Sequence, residues 1–146
     1  MNLNQFTQKS VAAIQAAQSL AVEHGNQQIE QAHLLLALLQ DDQGLVPQLL
    51  TAMGTAVSNF TENVQALVER LPKVSGGGRE ADKVYISQQV DQALQQAEQV
   101  RISMQDEYVS VEHLFLGLLD KADQTLKELF RTFSITQEKI MRALAS

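Results

Sequence analysis

The chain has 146 residues, no cysteine and a formal net charge of -6. A chain of this length can bury roughly 70% of its extended surface in one core. Disulfides are excluded, which fits a reducing compartment. The few basic residues are scattered, and this argues against a nucleic-acid partner, because counterion release needs a clustered basic face.

The opening Met1-Asn2-Leu3-Asn4-Gln5 lacks the basic start and apolar run of an export signal. No apolar stretch reaches the roughly 20 residues of a membrane span, so the expected location is cytoplasmic with no membrane contact. Alanine, leucine, glutamine and glutamate dominate and β-branched runs of period two are missing, which predicts an all-α fold.

In chain order, Asn4 is a candidate cap for a first helix to about Glu23, with Phe6, Ser10, Ala13, Ile14, Ala17, Leu20 and Ala21 on its inner face. His24-Gly25-Asn26 ends it, and Ile29 tucks in ahead of a second helix over 31–40. A third helix runs from Val46 to Met53, with Pro47 tolerated in its first turn and Gly54 as its left-handed stop. The fourth, about 57–71, turns Phe60, Val64, Leu67, Val68 and Leu71 inward until Pro72. Three consecutive glycines within 73–82 are expected to form a mobile surface loop. They do not match a phosphate-binding loop, because no Gly-x-x-x-x-Gly-Lys pattern or preceding strand is present. A fifth helix begins near Ser87 and reaches about Met104, Ser110 caps a sixth, a seventh covers 124–133, and Thr136 caps an eighth carrying Ile140, Ala143 and Leu144 inward. The last helix runs to the end of the chain, which we read as part of a longer protein.

One stretch occurs twice. His33-Leu34-Leu35-Leu36-Ala37-Leu38-Leu39 and His113-Leu114-Phe115-Leu116-Gly117-Leu118-Leu119 lie 80 positions apart and match at five of seven places. A helix apolar around its circumference belongs in the middle of a bundle, so these are two buried axles. The same offset holds without a gap from Phe6 against Ile86 to Ala66 against Ser146, keeping the apolar pattern while the letters diverge. A duplicated structural unit has this signature.

Chemistry is sparse. His33 and His113 begin the axles, where a ring can pack while a nitrogen meets a neighbouring backbone group. With no cysteine and no His-x-x-x-His spacing, a zinc site lacks ligands. The hydroxyl residues stand mostly where caps belong, without an adjacent general base, so catalysis within these residues is not expected. Thr7 is set apart, a polar side chain on the opening turn beside an apolar wall. The axle starts also differ, Glu30-Gln31-Ala32-His33 against Ser110-Val111-Glu112-His113. The helix dipole by itself favours a carboxylate at Glu112. With Asp106 upstream, Glu112 would also make an acidic rim suited to a basic or amide-rich peptide.

These features resemble the amino-terminal domain of the Clp family of AAA+ unfoldases. The likeness rests on the paired four-helix repeats, the axles, the entry Asn4-Gln5-Phe6-Thr7-Gln8-Lys9, and Arg70-Leu71-Pro72-Lys73-Val74-Ser75-Gly76 before the central loop. The Leu-Pro-x-Val-x-Gly passage points to the ClpB type. The resemblance implies two pseudo-symmetric four-helix repeats, about 4–72 and 84–146, packed as one compact bundle of about eight helices. It also implies a substrate-recognition domain, monomeric when isolated, joined by a flexible linker to AAA+ ATPase rings that form a homohexamer and bind ATP and magnesium outside this chain. Such domains catch unfolded or aggregated polypeptide in a shallow apolar groove, and the polar positions carried over are Thr7, Asp106 and Glu112. The groove's apolar lining stays open. Related ClpC-type domains carry glutamate before both axle histidines and read phosphoarginine; Ala32 here breaks that pair and favours the ClpB-like role. A stand-alone adaptor that docks on an unfoldase is the alternative.

Overall fold

The computed structural model describes residues 3–74 and 84–146, which form eight helices and no sheet. In order these are α1 (Gln8–Glu23), α2 (Gln31–Leu39), α3 (Leu45–Ala52), α4 (Val57–Arg70), α5 (Gln88–Ser103), α6 (Val111–Asp120), α7 (Gln124–Thr132) and α8 (Gln137–Ala145). The starts of α1 and α5, of α2 and α6, and of α4 and α8 are each 80 residues apart, and so are the ends of α3 and α7. The axles are α2 and α6. Leu34, Leu35, Leu36, Leu38 and Leu39 of one and Leu114, Phe115, Leu116 and Leu118 of the other are all buried in a single core. The core crosses from repeat to repeat through aromatic rings: Phe60 of α4 stacks 6.2 Å from Phe130 of α7, whose edge meets Phe115 of α6 at 6.2 Å.

Backbone hydrogen bonds tie the halves together twice. The residues before α1 pair with those before α6, Thr7 N–H donating to Val109 O at 3.0 Å and Val109 N–H to Gln5 O at 2.7 Å. The residues before α5 pair with those before α2, Ile29 N–H donating to Tyr85 O and Ser87 N–H to Ile29 O, both at 2.9 Å. Each axle is therefore entered beside the other repeat's first helix. This pairing corrects the expected start of α1. Residues 4 and 5 form a turn and Phe6 is bridged to Val109, so the cap is Thr7, whose Oγ1 accepts from Ser10 N–H at 3.1 Å, and Asn4 lies outside the helix. Ser110 and Thr136 cap α6 and α8 as expected, Ser87, expected near the start of α5, is its cap, and Asp123 caps α7 by accepting from Leu126 N–H.

The helix ends repeat as well. Gly25 and Gln105 follow α1 and α5 in the left-handed region at φ 67 and 60, and Gly54 and Ser134 follow α3 and α7 at φ 82 and 56. Repeat two keeps the turns without the glycines, at about 1–2 kcal/mol for each L-residue held there. Of the 73–82 stretch, positions 75 onward lie outside the described residues; before them, Val74 N–H donates to Gly25 O at 2.8 Å.

The repeats differ where α1 and α5 meet the axles. A Cβ on Gly117 would stand 2.4 Å from Ala93 O and 3.2 Å from Ala97 Cβ, so glycine lets α5 lie against α6. Ala37 at the matching place carries that methyl, and α1 packs less closely on α2. Gly117→Ala is expected to destabilise the fold by about 1–3 kcal/mol through overpacking, against a gain of about 1 kcal/mol in helix propensity. Urea unfolding measures the net effect, and a midpoint at or above wild type would show that α5 moves away freely.

Candidate functional site

Both axle histidines are fully buried and serve the start of their helices. His33 Nδ1 accepts from Glu30 N–H at 2.9 Å and His113 Nδ1 from Ser110 N–H at 2.8 Å. An acceptor Nδ1 leaves the proton on Nε2, which donates to Asn26 Oδ1 at 2.7 Å in repeat one and to Asp106 Oδ2 at 2.8 Å in repeat two. The left-handed residues after α1 and α5 set Asn26 and Asp106 on these rings. Neither histidine has a nitrogen left for a substrate, so both are structural, as their place in the pattern predicts.

Asp106, expected on the rim, is thus the exposed partner of a buried imidazole. The Thr7 hydroxyl is also engaged, accepting from Ser10 N–H and donating to Ser10 Oγ at 3.0 Å. Ser10 in turn donates to Val109 O at 2.9 Å, which fastens the start of α1 to the segment between Asp106 and α6. Glu112 is half-buried in the first turn of α6 and finds no hydrogen-bond partner among the described residues. The three positions therefore sit along one seam, where α1 begins and α6 is entered.

Beside this seam lies an apolar groove of about 330 Å³, at the lower end of the roughly 300–1,000 Å³ typical of ligand pockets. Its walls are Ala12, Ala13 and Ala16 of α1, Ala37 and Leu38 of α2, Leu45 and Val46 of α3, and Val111 of α6, with Lys9, Gln40 and Asp41 at its polar edge. The small side chains of α1 leave it shallow. Ala13, expected to point into the core, is half-buried because it faces this space instead.

Two departures from the internal repeat open the groove. Ala37 holds α1 off α2 where Gly117 admits α5. Val111 stands where repeat one has Gln31, and Gln31 is fully buried across the other repeat. Its amide nitrogen donates to Gln89 O at 3.0 Å and Lys121 O at 2.8 Å, and its oxygen accepts from Asp123 N–H at 2.9 Å. Sequence reasoning missed both differences, although the two axle motifs and the three residues before each axle display them.

No helix among the described residues is long and apolar enough to cross a membrane, and no group of three metal-ligating side chains is brought together among them. The family model for the Clp repeat (R) N-terminal domain matches residues 5–133. With the two half-bundles and their buried axles, this places the chain in the Clp repeat N-terminal domain family. Its relatives include the chaperone protein ClpB of Bacillus anthracis, 36% identical over 99% of this chain and 16% of that protein. Another is the chaperone protein ClpB 2 of Nostoc sp., 39% identical over 95% of this chain and 15% of that protein. The chain thus spans about a sixth of the length of these ClpB relatives. Solved structures share the fold: the Hsp104 N-terminal domain from Candida albicans has a TM-score of 0.81 at 24% identity, covering 96% of this chain and 89% of that one. A ClpV N-domain in complex with a VipB peptide has a TM-score of 0.72 at 20% identity, covering 91% of this chain and 84% of that one.

Burial pushes the pKa of His33 down from 6.5 to about 4, and the charge of His24 acts in the same direction. In the unfolded chain the imidazole titrates near its ordinary value, so between these pH values the unfolded state binds the extra proton. The neutral His33 therefore contributes in full above pH 6.5, and its contribution, on the order of 3 kcal/mol, is lost as pH falls toward 4. Urea midpoints measured from pH 7 to pH 4 should decline over this window and flatten in His33→Gln. An equal slope in the variant would place the acid sensitivity elsewhere.

Proposed function

We propose that this chain is the polypeptide-recognition domain of a ClpB-type unfoldase or disaggregase, holding exposed apolar segments of unfolded or aggregated proteins in the α1–α2–α3 groove. The observation that carries the reading is the groove itself, an apolar trough in a chain whose axle histidines and several of whose hydroxyls are spent on structure. Its shallowness suits a site that accepts many sequences, since alanine walls offer apolar burial without deep, shape-matched pockets. The ClpV N-domain solved with a VipB peptide supports peptide occupancy as a use of this fold. Thr7 and Glu112 adjoin the groove in sequence, two residues before Lys9 and one after Val111, and act as its polar rim, with Asp106 fixed beyond them by His113. Transfer of the bound segment to AAA+ rings that use ATP and magnesium belongs to the longer protein.

A paired phosphoarginine site finds less support. Ala32 stands where the first glutamate would be and is 5% exposed, which leaves Glu112 without a counterpart.

Titration with a permanently unfolded polypeptide tests the assignment. Ala16→Glu puts a carboxylate in the apolar wall and should weaken binding at least about tenfold while the helical circular dichroism stays at its wild-type value. Thr7→Ala and Glu112→Ala should each weaken it about threefold, the former also lowering stability by about 1 kcal/mol through the lost cap. Wild-type affinity in Ala16→Glu would remove the groove from the site. Wild-type affinity in both rim variants would leave the groove and remove the rim.

A further inference from the structure

The counterpart of the groove in repeat two is occupied, and its occupant shows what kind of group the polar edge accepts. There, a carboxamide arrives from the other repeat: Gln31 of α2 donates both of its N–H bonds to the carbonyls of Gln89 and Lys121. Eighty positions back along the chain those carbonyls belong to Lys9 and Asp41, and both residues line the groove beside Val111, which occupies the place of Gln31. Valine is shorter and has no polar atom, so the carboxamide is gone while the residues whose counterparts receive it stay in the lining; the turn between them differs, with Asp41 O accepting from Gly44 N–H at 2.8 Å.

The third partner differs in an informative way. In repeat two Asp123 N–H donates to the Gln31 oxygen, whereas the matching Gln43 N–H is already taken by Asp41 Oδ1 at 3.1 Å. Beside the Lys9 ammonium and the Gln40 carboxamide, this edge carries the Asp41 carboxylate and the main-chain carbonyls of Lys9 and Asp41; the Asp41 carbonyl takes its one bond from Gly44 N–H and has room for a second donor. An incoming group must therefore bring N–H bonds. A methionine of similar length would cover the apolar wall but leave the carbonyls unmet, and a glutamate would bring no N–H to them. The Lys9 ammonium on the same lining disfavours a cation, and burying a cation is costlier than burying an amide.

We infer that the polar edge of the groove is a subsite for a glutamine or asparagine side chain carried within an apolar segment of the bound polypeptide, its NH2 donating to the carbonyls of Lys9 and Asp41. The inference rests on the groove being a polypeptide site, and the test separates the two. Four fluorescent peptides of one apolar sequence, differing only in a central Gln, Met, Glu or Lys, are titrated against the wild-type chain and against Val111→Gln by anisotropy. The glutamine peptide is expected to bind at least about fivefold tighter than the methionine peptide, and tighter than the glutamate and lysine peptides. Val111→Gln offers the carbonyls of Lys9 and Asp41 an NH2 group from within the chain, so it should abolish the preference for glutamine and leave the melting temperature at or above wild type. Equal binding of the glutamine and methionine peptides to the wild-type chain overturns the subsite and leaves the groove standing. Tightest binding of the lysine peptide overturns it in favour of a cation site, and no binding of any peptide overturns groove and subsite together. The wild-type comparison decides these outcomes whether or not Val111→Gln folds; a folded Val111→Gln that keeps the glutamine preference also overturns the subsite.

Discussion

Two helices with no polar face have to be enclosed on every side, and the rest of the fold follows from where the enclosing surfaces come from. Neither repeat closes its axle alone. The entry to each axle is hydrogen-bonded to the residues opening the other repeat's first helix, and the phenyl rings of α4, α6 and α7 meet across the boundary. The histidines at the axle starts solve the accompanying polar problem. A buried helix start leaves backbone N–H groups without water, and an imidazole folded back onto the cap residue satisfies one of them at each axle. Its other nitrogen is satisfied by the residue that follows the left-handed turn after α1 or α5. Backbone twist, capping and burial are thus parts of one arrangement used twice.

The candidate site lies where that arrangement is not repeated. Glycine inside a helix costs about 1 kcal/mol relative to alanine, and at Gly117 the return is a helix pair in close contact. At Ala37 the methyl is present and the pair stands apart. Gln31 fills the corresponding space on one side and Val111 leaves it open on the other. A surface that would be sealed in a perfect duplicate is left as a shallow apolar trough with acceptors at its edge.

Much of this was legible in the letters. The axles, the helix-ending glycines at positions 25 and 54, the caps Ser110 and Thr136, and the inward stripes of α4 and α8 are local features, set by periodicity and by the hydrogen-bonding habits of single residues. Asn4 misled for the opposite reason. Nothing local says that residues 5 and 6 pair with Val109, and that pairing moves the helix start to Thr7. Ala13 misled as well, since its place in the apolar stripe is correct but no neighbour closes over it.

By itself, the sequence determined the all-α class, the duplication at an offset of 80, the burial of both axles and membership of the Clp repeat family. Those properties are written in patterns that recur along the chain. The tertiary structure alone decided that Gln31 crosses to carbonyls 58 and 90 positions away, that the Thr7 hydroxyl and Asp106 Oδ2 are engaged by neighbours, and that the trough lies open beside α1 while Gln31 fills its counterpart. An apolar period tells which face of a helix avoids water. Which element covers that face, and where the cover falls short, depends on distances between segments that are remote in the chain.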